Sequence, residues 1–280
     1  MVGYPTDHWA SDPNPTSGLA KYLTTHEGLY NRVKNSLILS MLPQDMKGLK
    51  VLDYGCGCGL FSIACAKRGA MVTGIDASGY AIASAKLYAS REGVPNRCNF
   101  VVSTEGQGSE YDLVLAKDVI EHMQDDLRFV RTVGDMLKPN GKFVVSTQNA
   151  WSLNYALEGA YERLWCGNRS WMGWDPTHIR FYSPMSLKKV VAVGGLTIER
   201  WASMYIVPYD ILSWLFLLRK SVTLSSLRYV DYLLGKIFPF NRVGWAIIAS
   251  CRKLTVPLPS SGTEFGDRPE GSPKNSAVSG

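Results

Sequence analysis

The stretch that decides the fold is Leu49-Lys-Val-Leu-Asp53-Tyr-Gly55-Cys-Gly57-Cys-Gly59, followed about twenty residues on by Met71-Val-Thr-Gly-Ile-Asp76. The apolar run 49–54 reads as a buried strand that ends on glycines. Glycine at every second position lets the backbone bend sharply and approach a ligand with no side chain in the way. Helical spacing resumes at Leu60–Arg68, so the next helix aims its N-terminus at that ligand. Met71–Asp76 is a second strand, and a carboxylate at its tip can accept both hydroxyls of a ribose. Glycines between strand and helix, with an acid at the next strand tip, are a far stronger signal than a glycine-rich loop alone. The spacing D-x-G-x-G-x-G is not the dinucleotide pattern G-x-G-x-x-G, and it lacks the Lys-Ser/Thr of a phosphate-cradling loop. A nucleoside without a pyrophosphate is the ligand this predicts; a tight turn with no ligand is the alternative.

Outward from this stretch, the same alternation continues. Ser78 is placed to cap a helix over Tyr80–Arg91. Asn99–Val102, Asp112–Ala116 and Lys142–Ser146 read as further strands. A helix lies near Asp125–Leu137, closed by the Pro-Asn-Gly turn of LKPNG. Ser183-Pro184 starts another helix that ends at Gly194-Gly195. Leu196–Met204 and Val243–Cys251 are two late strands. Near-continuous apolar strands alternating with helices imply an α/β fold, a parallel sheet covered on both faces.

The chain has 280 residues, 46% hydrophobic and 19% charged, which excludes wholesale disorder and collagen-like repeats. A net charge of +6 with no dense basic stripe gives no reason to expect a nucleic-acid partner. Six cysteines are too few for a disulfide scaffold and read as reduced thiols of a cytoplasmic protein. No apolar run reaches the ~18 residues of a membrane span, and no secretory signal is visible. Residues 1–18 read as an irregular arm, 19–257 as the single domain, and 258–280 as a disordered tail.

VLDYGCGCG and VTGIDAS resemble the first two motifs of the class I S-adenosylmethionine-dependent methyltransferases. YDLVLAKDVIEHMQD and LKPNGKFVVSTQN are similar to that family's fourth- and fifth-strand motifs. DPTHIRFYSPMSLKKVVAVGGLTIERW is similar to the small-molecule branch that includes the ubiquinone-pathway O-methyltransferases. The resemblance covers roughly residues 20–204 and the last strand. It implies a Rossmann-like, seven-stranded, mostly parallel sheet with helices on both faces, and S-adenosylmethionine as cofactor. By position it gives the methionine end of the cofactor to Asp53, Gly55, Cys56, Gly57 and Gly59, the ribose to Asp76 and the adenine border to Ala77. Thr104 and Glu105 stand on a shortened adenine-side segment. Lys117 replaces a commoner small or polar residue. The helix around Tyr22–Arg32 looks like a cofactor-covering segment, with Tyr22 near the methionine carboxylate.

A sulfonium methyl needs chiefly an aligned nucleophile, and a hydroxyl nucleophile also needs its proton removed. Two histidines lie on the carboxyl side of the strands, His122 after the fourth and His178 after the fifth. Each is a candidate base, and each can equally be a packing histidine. Asp118, Glu121, His122 and His178 also make a possible hard-metal set. Carboxylates that simply cap the next helix explain them as well, and no metal is expected. Residues 150–182 hold Trp151, Trp165, Trp171 and Trp174 and read as an aromatic cap, with Trp151, Trp171, Trp174 and Arg180 as substrate-binding candidates; a satellite core is the competing reading. Residues 205–242 read as an apolar helical insertion, with Ile211–Leu218 beside Arg219-Lys220 and further basic residues. That suits an interfacial membrane element or a wall for a lipid-like substrate, or else a hairpin packed on the sheet or in a homodimer. The expected activity is methyl transfer to a small, apolar or aromatic acceptor, first of all at a hydroxyl oxygen. The alternatives are N- or C-methylation, a metal-assisted RNA methyltransferase, and a cofactor-binding protein without turnover.

Overall fold

The computed structural model describes residues 7–106, 108, 110–171, 173, 175, 177–206 and 229–255. Seven strands make one sheet: β1 (Lys50–Tyr54), β2 (Met71–Asp76), β3 (Cys98–Val102), β4 (Tyr111–Lys117), β5 (Leu137–Gln148), β6 (Leu196–Met204) and β7 (Ala246–Lys253). Their order is β3-β2-β1-β4-β5-β7-β6. The first five strands pair in parallel, and β7 runs antiparallel between β5 and β6. The order reverses between β1 and β4, and this is where an open α/β sheet leaves a crevice beyond its strand ends.

The helices that accompany the strands include α1 (Pro15–Glu27), α2 (Leu29–Met41), α3 (Leu60–Lys67), α4 (Gly79–Arg91), α5 (Asp126–Met136), α6 (Leu153–Ala160) and α7 (Pro184–Val193). Both faces of the sheet are dry. Val114 and Phe143 pack with Phe129 and Val133 of α5 and Leu187 and Val191 of α7. On the opposite face Leu113, Leu115 and Val144 pack with Leu37, Ile38 and Met41 of α2 and Phe61 of α3. Strand periodicity sends neighbouring residues to opposite faces, and here both faces are apolar, so the strands read as continuous hydrophobic runs.

Three sequence expectations change. The arm over 1–18 is partly ordered: Trp9–Ser11 is a 3-10 turn, and α1 already begins at Pro15, capped by the Asn14 side chain accepting from Thr16 and Ser17 N–H. Asn before a Pro at the first helical position is itself a start signal. LKPNG does end α5, but it belongs to β5: Leu137 pairs with Tyr111, the register slips, and pairing resumes at Lys142 opposite Leu113. Asn140, at φ 63°, carries the bulge. In the insertion, residues 229–234 are helical and β7 begins only at Ala246. Ile211–Leu218 and the tail 258–280 lie outside the described residues.

Candidate functional site

The glycine loop leaves β1 and is held by the next strand. Cys56 N–H donates to Ile75 O at 2.9 Å, and Gly57 N–H donates to Asp76 Oδ2 at 2.9 Å. Asp76 Oδ1 accepts from Ser78 N–H at 2.8 Å. The carboxylate at the tip of β2 therefore fixes both the loop and the start of α4, and burial raises its pKa. Gly57 sits at φ 53°, and a Cβ there would lie 2.9 Å from Tyr22 Cε2 and 3.2 Å from Trp9 Cη2. Only glycine fits, because the backbone conformation and the space both exclude a side chain.

Asp53 is buried and accepts from Ser62 Oγ at 2.6 Å, tying β1 to α3; burial pushes its carboxyl up to about 6. Cys56 is buried beside Phe100, and burial lifts its thiol. Ala77 is exposed at the bend after β2. Tyr22 covers the loop, with Trp9 edge-on at 4.9 Å and His26 stacked at 4.0 Å. Thr104 is exposed and its carbonyl accepts from Tyr54 Oη, while the Glu105 carboxylate faces solvent beside Arg128.

A polar cluster forms at the tip of β4. Asp118, at φ 55°, accepts from Lys34 Nζ at 2.5 Å, Ser146 Oγ at 2.9 Å and Lys117 Nζ at 3.1 Å. Burial opposes its ionisation, but Lys117 and Lys34 outweigh burial and hold the carboxyl far below the usual range. A single 3-10 turn, Ile120–His122, follows. Glu121 is fully buried with both carboxylate oxygens unpartnered. Burial first, and the Asp118 charge second, push its carboxyl up to about 8.

His122 Nδ1 lies 3.2 Å from Thr177 O, and its ring centre is 4.8 Å from that of His178. His178 Nε2 lies 3.5 Å from Asp175 Oδ2, its Nδ1 is buried without a partner, and burial lowers its pKa so that it is neutral near pH 7. Ile179 N–H donates to Glu121 O, which brings the segment after β5 onto the tip of β4. One ligand atom from each of Glu121, His122 and His178 lies within 4.8 Å of the others. The two histidines and the glutamate are thus brought together, whereas Asp118 is drawn away by its lysines. Val119 touches the glycine loop: its Cγ2 would be 2.6 Å from a Cβ on Gly55.

The cap contains its own small core. Trp171 is buried against Tyr155, 5.4 Å between ring centres, and the Arg163 guanidinium lies over both rings while donating to Trp171 O and Tyr155 Oη. Tyr155 also packs on Phe181 and Trp245. Trp151 is exposed, and Trp174 lies outside the described residues. Arg180 is engaged elsewhere: it pairs with Asp126 and donates to Gln124 O, while Tyr182 Oη donates to the same aspartate. Two residues were not anticipated, Lys34 and His26. Lys34 stands three, four and seven residues before the buried Leu37, Ile38 and Met41, so a charge on the apolar face of α2 was the available signal.

Comparison with known proteins places these features in context. The model of the family described as "Methyltransferase domain" matches residues 26–200. The ubiquinone biosynthesis O-methyltransferase of Methylobacterium sp. (strain 4-46) is 36% identical over 162 residues, 56% of this chain and 63% of that protein. The protein of the same description from Methylocella silvestris is 32% identical over 206 residues, 68% of this chain and 77% of its own. The chain thus spans less than two thirds of the first relative's length. The fold is shared with an S-adenosylmethionine-dependent methyltransferase from Mesorhizobium loti (TM-score 0.55, 20% identity, 81% of this chain and 100% of that one). It is also shared with the magnesium protoporphyrin IX methyltransferase of Synechocystis PCC 6803, solved with bound SAH (TM-score 0.53, 17% identity, 86% and 89%).

Proposed function

This chain belongs to the methyltransferase-domain family, and from that premise we propose that it moves the methyl group of S-adenosylmethionine to a hydroxyl oxygen of a small, apolar or aromatic acceptor. The observation that carries this reading is the cluster Glu121–His122–His178. Glu121, whose buried oxygens are unpartnered, lies two residues after Val119, which touches the glycine loop, and His178, with its own unpartnered Nδ1, packs on His122 at 4.8 Å between ring centres. Unpartnered buried polar atoms are costly to fold, so a site that keeps them is built to receive a polar group.

The residues fit the cofactor. The loop after β1 is bare main chain at Gly55, Gly57 and Gly59, Asp76 presents a carboxylate at the tip of β2, and Tyr22 lies directly against Gly57. S-adenosylmethionine supplies an activated methyl group. His178, neutral because it is buried, takes the acceptor's hydroxyl proton as the oxygen–carbon bond forms. Bound there, S-adenosylmethionine would give up the methyl carbon and keep the carbon–sulfur electron pair as a neutral thioether. Asp175 faces the other imidazole nitrogen and favours the imidazolium that forms. Glu121, uncharged near pH 7 through burial and the Asp118 charge, donates a hydrogen bond into the same space.

One observation favours a second reading of the same cluster: a carboxylate and two imidazoles within 4.8 Å can hold a divalent cation. Such an ion would supply Lewis-acid polarisation of the acceptor oxygen. Calorimetry with S-adenosylmethionine tests the shared premise. A labelled-methyl assay against quinol, phenolic, lipid and RNA pools then tests the acceptor. Label in the phenolic or quinol pool is expected, and label in RNA alone would overturn the reading. Activity that survives exhaustive chelation removes the cation.

A further inference from the structure

We propose that a cavity at the starts of β1 to β4 binds a small organic anion, an acid group on a compact apolar body. Lys50, Met71, Cys98 and Tyr111 are the first residues of these four strands, so the cavity lies at the opposite end of the sheet from Asp76 and Asp118. It stands apart from methyl transfer, whatever the acceptor. Its volume is about 330 Å³, and Lys50, Met71, Thr73, Arg97, Asn99 and Tyr111 are among the residues that line it. Small-molecule sites commonly start at about 300 Å³.

The connection from β3 to β4 creates the opening. Residues 103–110 carry the chain back across the sheet, where a parallel crossover usually takes a dozen residues or more and a helix. The other parallel crossovers carry α3, α4 and α5. A right-handed crossover from β3 would lay its helix on the face that α5 covers. On β2, Met71 is 49% exposed while Val72 beside it is buried; on β3, Val101 is 36% exposed while Phe100 is buried. Strand alternation puts Met71, Thr73, Asn99 and Val101 on this open face, and turns Val72 and Phe100 toward α3 and α4.

The lining selects the occupant. Its charged residues are Lys50 and Arg97, and among the described residues no carboxylate lines it. The nearby acid is already engaged: Asp112 accepts from the Lys50 main-chain N–H and from Lys138 Nζ, each at 2.8 Å. Arg97 donates through one amino group to Gly69 O at 3.1 Å, which anchors the guanidinium beside the cavity and leaves its remaining N–H groups for a ligand. Thr73 and Asn99, paired across β2 and β3, add a hydroxyl and an amide. Two cations, a hydroxyl and an amide match an acid group, and Met71 and Tyr111 offer contact to an apolar body. An apolar helix of another protein laid on the same face would bury both cations without partners, at a cost in desolvation that the anion avoids.

Titration calorimetry of the full chain with phenyl phosphate and with benzoate tests this, with inorganic phosphate and phenol as the separate acid and apolar parts. At least one of the two organic anions should bind, more tightly than either part alone and more weakly in high salt. Lys50→Gln and Arg97→Gln should each weaken that binding at least about fivefold, since hydrogen bonds to charged groups are among the stronger ones. Met71→Trp, which fills the cavity and leaves both cations in place, should weaken it as well. Circular-dichroism melting curves that match the wild type check that each variant is folded. Four results would each overturn the proposal: neither organic anion binds the wild type; inorganic phosphate binds as tightly as they do; the three variants bind as the wild type does; or binding is lost in His178→Ala and kept in the Lys50 and Arg97 variants, which would put the anion in the methyl-transfer site.

Discussion

The half of the sheet formed by β1, β2 and β3 differs from the half formed by β5, β6 and β7 in how it makes a binding site. In the first half the strands follow one another closely, and the site is main chain: three glycines and one carboxylate that fixes the loop through its N–H groups. In the second half, residues 149–195 and 205–245 separate the strands, and the site is side chains gathered from distant parts of the chain. His122 meets Thr177 fifty-five residues away, and Lys34 meets Asp118 eighty-four residues away. A site made of backbone is tied to local order, so it serves any reaction that uses the same cofactor. A site made of distant side chains can change acceptor without disturbing that order.

The comparison breaks most sharply if the side-chain half can be emptied without cost. His178→Ala should lower turnover by about 10²–10⁴, the usual contribution of a positioned proton acceptor, while calorimetric affinity for S-adenosylmethionine stays within about twofold. Turnover that is undiminished would take His178 out of the chemistry and leave the segment after β5 as packing alone. Asp76→Ala asks the converse of the backbone half. It removes the acceptor of the Gly57 and Ser78 N–H groups as well as the proposed ribose partner, and hydrogen bonds to a charged group contribute about 1.5–3 kcal/mol each. Cofactor affinity should fall by roughly 10²-fold with far-ultraviolet circular dichroism unchanged. A loss under about threefold would mean that the nucleoside lies elsewhere.

The two halves were unequally legible in the sequence for the same reason. The glycine spacing, Asp76 and every strand of the sheet follow from local periodicity and turn chemistry, which need only a short window of residues. His122 and His178 could be placed on the correct side because strand ends define that side, but their meeting with Glu121 depends on how the cap folds back. Arg180 and Glu105 show the limit. Each carries a charge that a ligand could use, and each is taken or left by a partner invisible to spacing: Asp126 holds Arg180, and Glu105 turns to Arg128 in solvent. For Lys34 the spacing offered a signal, a charge on the apolar face of α2, but not its partner: a lysine in a helix is usually solvated, and here Asp118 lies across the sheet tip.

Lys34→Met sharpens the contrast by testing whether the N-terminal helices belong to the side-chain half. The substitution keeps the buried stem and deletes the charge. Breaking a buried ion pair commonly costs about 3–5 kcal/mol. Asp118 keeps Lys117 and the Ser146 hydroxyl and is partly open to water, so about 2–3 kcal/mol is expected from urea unfolding. A cost under about 0.5 kcal/mol would make the pair incidental and α2 a passive cover.

A smaller effect, separable by its pH dependence, should come from His26. Its ring stacks on Tyr22, and its Nδ1 lies 2.9 Å from the Tyr22 carbonyl, so it helps hold the aromatic roof on Gly57. Burial first, and the Lys117 charge second, lower its pKa to about 4. Between there and about 6.5 the unfolded chain binds a proton that the folded chain does not. Stability therefore falls as the pH drops through that window, and the contribution is flat above it. At most about 3 kcal/mol is lost by pH 4, because each tenfold change in proton affinity is worth roughly 1.4 kcal/mol. Glu121 and Asp53, whose carboxyls are raised by burial, act with the opposite sign over part of the same window. They are common to the wild type and to His26→Phe, so they cancel in the difference between the two unfolding curves. That difference should favour the variant progressively below pH 6.5. A flat difference would show that His26 is protonated in the fold, and the roof over the glycine loop would then owe its place to Tyr22 and Trp9 alone.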